Sequence, residues 1–359
     1  MKRAAKWFTV FTVICSMVVS GGCSAKGKGT EEPANHADVP KIGVIVGLGG
    51  LGDGSFNDLA YNGTQMFEPG QVQVDVAEPK QVSDFQMLQQ QFAESEEYAA
   101  IVCVGYDQSE ALAEVAADFP EQRFILVDAS VENPNVASVM IENQQNGFQM
   151  GAFAALAEMD GNLEGSQEGH HIGVVGAMDI PLIKTFVTGY VCGARYVNPD
   201  IQVDISYVGS FNDPQTAKEI ALSMYENGAD IVWQAAGGSG LGVFEAAKSS
   251  GLYALGSDGN QNEISPDRIL ASSIRRMDKI VYKLCNAAID GSFEGGTVAY
   301  GAADEAVEIV TEGSQVQISP EVMETISELT QMLADGKLIV PDTLEEIDGF
   351  IQEYGHYGQ

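Results

Sequence analysis

Four aspartates, Asp53, Asp128, Asp179 and Asp258, stand at or just beyond the ends of apolar runs that read as β-strands. Carboxylates so placed can accept hydrogen bonds from a ligand's hydroxyls, act as a base or help to hold a metal ion. Each one alone also reads as a helix cap or turn former. The glycine-rich segment Gly47-Leu48-Gly49-Gly50-Leu51-Gly52 matches G-x-G-x-x-G, the pattern that cradles a dinucleotide, with Asp75 placed to meet a ribose. That chemistry requires a helix to start at the third glycine, and Asp53-Gly54-Ser55 intervenes, with Ser55 placed as the cap. The loop instead delivers Phe56-Asn57, an aromatic face beside an amide, which suits a heteroaromatic base. Periodicity alone assigns Phe56 to the apolar face of a helix shared with Leu59, Ala60 and Met66.

The elements that must carry these residues alternate. Strand-like runs at 41–46, 99–104, 172–175 and 201–208 are each followed by a segment of helical period, one of them opened by Asp213-Pro214, an N-cap with proline at the first helical position. Further strands are predicted at 124–127, 136–140, 230–233, 253–256, 269–273 and 306–310. Strands alternating with helices imply parallel sheets, and about ten strands imply two doubly wound ones. Ligands then bind at the carboxyl ends of the strands, where the strand order reverses.

Residues 1–22 read as a signal peptide, with Lys2, Arg3 and Lys6 before an apolar run from Trp7 to Val19 that is short of the roughly 20 residues a spanning helix needs. Gly21-Gly22-Cys23 resembles a lipobox, although Ser20 stands where leucine is usual, so Cys23 is the expected lipid acceptor and 23–40 a flexible tether. Folding proper begins near Lys41, leaving about 320 residues, more than one core usually supports. With 18 Lys and Arg against 51 Asp and Glu the formal net charge is −33, which repels nucleic acid and anionic headgroups. Cys103, Cys192 and Cys285 lie inside apolar runs and are expected to be buried free thiols. The four histidines are scattered, no cluster has metal-ligand or Cys-His catalytic spacing, and the His170-His171 pair is expected to be solvated.

Gly49-Gly50-Leu51-Gly52-Asp53-Gly54-Ser55-Phe56-Asn57 resembles the signature loop of the basic membrane protein family, the PnrA-like nucleoside-binding lipoproteins of ABC transporters. Phe124-Ile125-Leu126-Val127-Asp128, Gly176-Ala177-Met178-Asp179-Ile180-Pro181 with Phe186 and Gly189, Gly237-Gly238-Ser239-Gly240-Leu241-Gly242 and Gly256-Ser257-Asp258 resemble further segments of it, in order. The resemblance implies a type I periplasmic-binding-protein fold, two lobes joined by a hinge. It implies that Phe56 and Phe186 sandwich the base and that Asn57 bonds its edge. Asp128 and Asp258 would take the ribose hydroxyls, with Gly238 admitting the sugar. Two positions depart from the family: Gly47 stands where it has a base-reading aspartate, for which Asp53 is a candidate substitute, and Arg275 where it has a sugar-contacting lysine. The implied partners are a nucleoside, purine by expectation, and a membrane permease, with lipid anchoring on the extracytoplasmic face. No cofactor, metal or nucleic acid is expected.

On this reading the lobes comprise 41–145 and 146–265, part of 266–305 returning to the first and part of 306–359 to the second. Crossings are expected near 262–269 and 301–310. Rival readings are a sugar receptor of the same fold and a nucleoside-hydrolysing enzyme, which would need a catalytic base or a metal-carboxylate cluster.

Overall fold

A computed structural model describes residues 39–166 and 170–358; the signal peptide, Cys23 and the tether up to Asp38 lie outside the described residues. The first lobe runs β1 (Lys41–Ile45), α1 (Phe56–Gln65), β2 (Gln73–Ala77), α2 (Asp84–Glu94), β3 (Tyr98–Val104), α3 (Ser109–Asp118), β4 (Phe124–Val127) and β5 (Val136–Ile141). Apart from the exposed edge strand β2, these strands are short, buried runs rich in Val and Ile, as parallel strands covered on both faces must be.

The chain then enters the second lobe through α4 (Asn143–Asp160), followed by β6 (His171–Gly176), α5 (Pro181–Val197), β7 (Gln202–Tyr207), α6 (Pro214–Glu226), β8 (Ile231–Ala235), α7 (Leu241–Ser250), β9 (Tyr253–Gly256) and β10 (Ile269–Arg275). It returns with α8 (Met277–Asp290), which packs on α1, and β11 (Gly296–Tyr300), which extends the first sheet beside β5. A last crossing leads to β12 (Val307–Val310), and α9 (Pro320–Ala334) and α10 (Ile347–Tyr354) pack on α4 and α5. Asp213 caps α6 as its sequence predicts, accepting from the Thr216 backbone at 3.1 Å.

The sheets have the orders β2-β1-β3-β4-β5-β11 and β7-β6-β8-β9-β10-β12. Both reverse direction beside their first strand, so the loops after β1 and β3 and those after β6 and β8 flank the two switch points. Two expectations need correction. The sheets are not wholly parallel, since β12 runs antiparallel to β10. Nor does the chain leave the second lobe at 262–269: β10 pairs with β9, and the crossing comes at Arg275–Met277, where one strand ends and α8 begins.

Helices α4 and α5 touch through their backbones. A Cβ on Gly147 or Gly151 of α4 would lie 2.2 Å from the Phe186 carbonyl oxygen or 1.9 Å from that of Tyr190; on Gly189 or Gly193 of α5 it would lie 2.1 Å from Gln144 or 2.0 Å from Phe148. Only hydrogen fits at these four positions, and the contact fixes Phe186 against the start of α4. Cys103, Cys192 and Cys285 are buried free thiols. The histidine pair divides: His171 opens β6, buried, with Nε2 3.1 Å from Asp204, because the strand continues one residue further toward the loop than its apolar run suggests.

Glu158 on α4 meets Asp230 before β8, both nearly inaccessible. Burial first, and then the hydrogen bond and charge of Asp230, push the Glu158 carboxyl up to about 8. A carboxyl raised on folding contributes stability that is complete below its ordinary value of 4.5 and is lost as pH rises through about 8. Glu158→Gln should therefore flatten the fall of the thermal midpoint across that window. A midpoint that still declines equally would place the pH dependence elsewhere. Gly151→Ala should lower the unfolding free energy in urea by about 3 kcal/mol or more; a loss near zero would show that α4 and α5 can separate without cost.

Candidate ligand-binding site

A cavity of about 480 Å³ opens between the carboxyl edges of the two sheets, within the size range of small-molecule sites. Asp53, Phe56, Asn57, Asp128, Phe186, Gly238, Asp258 and Arg275 all line it. The first lobe supplies its share from the loops after β1 and β4, the second from α5 and the loops after β8 and β9, with Arg275 at the end of β10.

Asp53, not Ser55, caps α1. Its carboxylate accepts the backbone N–H of Ser55 and of Asn57 at 2.9 Å each and of Asp58 at 3.2 Å. Burial raises its pKa, and these N–H groups oppose the rise. Asn57 is likewise committed within the loop: its Oδ1 accepts the Gly47 N–H at 2.7 Å and its Nδ2 donates to Asp53 at 3.1 Å. Asn57 nonetheless lines the cavity, and its second Nδ2 hydrogen is not used by these two loop contacts. A Cβ at residue 47 would stand 3.1 Å from Asn57 Oδ1 and 3.3 Å from the Val104 carbonyl, so glycine there leaves room for the amide. The glycine-rich loop holds no cradle for phosphates. The N–H groups of Gly52 and Gly54 each donate to Asp58 at 2.8 Å, that of Leu51 donates to Glu78 at 3.2 Å, and Asp75 accepts the Tyr98 hydroxyl at 2.9 Å.

Arg275 is 3% exposed and ties the lobes together. Its Nε donates to Asp258 at 2.5 Å; its Nη1 donates to both oxygens of Asp128, at 3.0 and 2.8 Å, and to Asn143 Oδ1 at 3.2 Å. Asp128 and Asp258 each take a left-handed backbone conformation, φ 64° and 68°, which turns their carboxylates inward at the strand ends. Burial works against the guanidinium's charge, but the two carboxylates outweigh it and hold the pKa above its ordinary value. Burial also raises the Asp128 carboxyl, with Arg275 opposing.

The guanidinium carbon lies 5.2 Å from the Phe56 ring centroid and 5.0 Å from that of Phe186. The two ring faces that the sequence assigned to a base therefore meet a cation in this structure, because a guanidinium is weakly hydrated and stacks readily on aromatic faces. Sequence reasoning also missed a second aromatic pair across the cleft, Tyr106 and Phe211, with centroids 6.3 Å apart, and the neighbouring Asp107. The available signal was Gly105-Tyr106-Asp107 directly after a buried strand, the same order of glycine, aromatic and polar residue as in the first loop. The lobes are in contact: Ser55 Oγ donates to the Ser257 carbonyl at 3.2 Å, and a Cβ on Gly259 would lie 2.8 Å from the Gly54 carbonyl oxygen.

The family model described as "ABC transporter substrate-binding protein PnrA-like" matches residues 39–343. An uncharacterized lipoprotein of Pyrococcus horikoshii is 28% identical over 98% of this chain and 96% of its own length. A protein of Lactococcus lactis named ABC transporter nucleoside-binding protein BmpA is 27% identical over 91% of this chain and 96% of its own length. Among solved structures, an ABC transporter solute-binding protein from Aeropyrum pernix superimposes with a TM-score of 0.75 at 27% identity, covering 88% of this chain and 97% of the other.

Replacing Arg275 by Met leaves two buried carboxylates without their cation and should cost about 3–5 kcal/mol of stability. The deficit should shrink as pH falls, because burial favours the protonated form of Asp128. An equal deficit at all pH values would show that lost packing, not charge, is responsible.

Proposed function

The chain belongs to the PnrA-like family of ABC transporter substrate-binding proteins, and on that premise we propose that it captures a purine nucleoside between its two lobes and hands it to a membrane permease. The observation that carries the reading is that one aromatic ring from each lobe, Phe56 and Phe186, lines a cavity that also holds two strand-end aspartates and an arginine. The nucleoside-binding relative named above supports it. The family is one of binding proteins, and the carboxylates that a hydrolase would need free are committed here to Arg275.

In this mechanism the base stacks on Phe56 and Phe186 beside the guanidinium, and each stacked base contributes about 1–3 kcal/mol. Arg275 stays held by Asp128 and Asp258, and Asp258 keeps Oδ2 for a ribose hydroxyl. Closure then rests on the contact of Ser55 with Ser257 and on the Tyr106–Phe211 pair. The lipid on Cys23 anchors the protein on the extracytoplasmic face, where its relatives' designation as lipoproteins would also place it.

A sugar-only ligand is the second reading, favoured by the fact that both ring faces already carry Arg275. Titration calorimetry of the purified protein with adenosine, guanosine, inosine, cytidine, uridine and ribose separates the two. We expect one-to-one purine nucleoside binding, weakened by about 1–3 kcal/mol in Phe56→Ala. Heat from ribose with none from any nucleoside would keep the fold and replace the ligand.

A further inference from the structure

Four carboxylates line the cavity, and three of them are already in use. Asp53 caps α1 and holds Asn57, while Asp128 and Asp258 share Arg275. Asp107 alone among them has no side-chain hydrogen bond or ion pair to another described residue; it meets only its own backbone N–H. A partly buried carboxylate with so little compensation is costly, and burial raises its pKa accordingly. Its position is defined by the first sheet. Ile45 pairs with Cys103, so residues 47 and 105 extend from neighbouring strand ends, and Asp107 follows on the second of them. A Cβ built on Gly105, whose φ is 117°, would lie 2.9 Å from Asp107 Oδ1 and 3.9 Å from Phe56 Cε1, so the carboxylate and the ring edge flank one point.

We propose that Asp107 reads the edge of the base stacked on Phe56 and sets the preference of the site for guanosine. The inference rests on the nucleoside reading above. An ionised carboxylate only accepts, and its two oxygens match two adjacent N–H donors. The guanine edge offers N1–H and the N2 amino group side by side; hypoxanthine offers N1–H alone; adenine places its N1 acceptor beside its amino donor. The expected order of affinity is guanosine, inosine, adenosine. With glycine at 47 and Asp53 taken up by the backbone N–H groups that open its helix, the loop after β1 leaves that edge to Asp107.

Calorimetry of the full-length wild type and of Asp107→Asn with guanosine, inosine and adenosine tests this. Asparagine presents an amino group to the donor edge, so guanosine affinity should fall by about ten- to a hundredfold, while adenosine affinity holds or rises because the amide's acceptor and donor match the adenine amino group and N1. An unchanged guanosine-to-adenosine ratio in the variant would overturn the proposal and leave nucleoside capture standing. Wild type that binds adenosine as tightly as guanosine would overturn it without need of any variant. Wild type that binds no nucleoside would overturn both readings.

Discussion

Burying a guanidinium costs several kcal/mol unless carboxylates take up its charge with good geometry. Arg275 meets that requirement with two carboxylates drawn from opposite lobes, and much of the cleft's arrangement follows from it. Asp128 and Asp258 must reach inward from strand ends, which is why both adopt backbone conformations that non-glycine residues seldom take. The phenylalanines then find a cation at their faces. The position of Arg275 at the last residue before the chain recrosses between lobes means that the ion pairs and the hinge share a segment. Any motion of the crossing is felt by the charges, and any change in the charges by the crossing.

The second support is steric. Four glycines let α4 and α5 approach until backbone touches backbone. Helix α4 begins with Asn143, which contacts Arg275, and α5 carries Phe186 into the cavity. The pair thus couples the position of one aromatic wall to the arginine's surroundings without any polar bond between the two helices being needed for it.

The alternation of buried runs and helical periods made the two doubly wound sheets legible, because strands covered on both faces cannot hide their apolar composition. The antiparallel β12 was not legible: strand direction leaves no mark on an apolar run of four residues. The crossing at Arg275–Met277 was missed because it has no loop composition, one residue separating strand from helix. Asp53, Asp128, Asp258, Phe56 and Phe186 could be located from their spacing and from family resemblance, and the structure brings them to one cavity, whereas Asp179 lies outside it, paired with Lys184 at 2.8 Å. Their partners could not. That Asn57 bonds Gly47 and that Asp53 rather than Ser55 caps α1 follows from the turn of a glycine-rich loop, which no local residue pattern specifies. The pairing of Arg275 with two aspartates joins residues 147 and 17 positions apart in sequence, which no local pattern encodes.

Cys103, Cys192 and Cys285 have a consequence of another kind. All are buried, and burial pushes each thiol up, that of Cys285 to about 12. Thiolate, the form that alkylating agents and disulfides require, is therefore scarce at neutral pH. A lobe-to-lobe distance can be followed with fluorophores coupled to cysteines introduced at the cleft rim, Cys103, Cys192 and Cys285 remaining unlabelled beneath them.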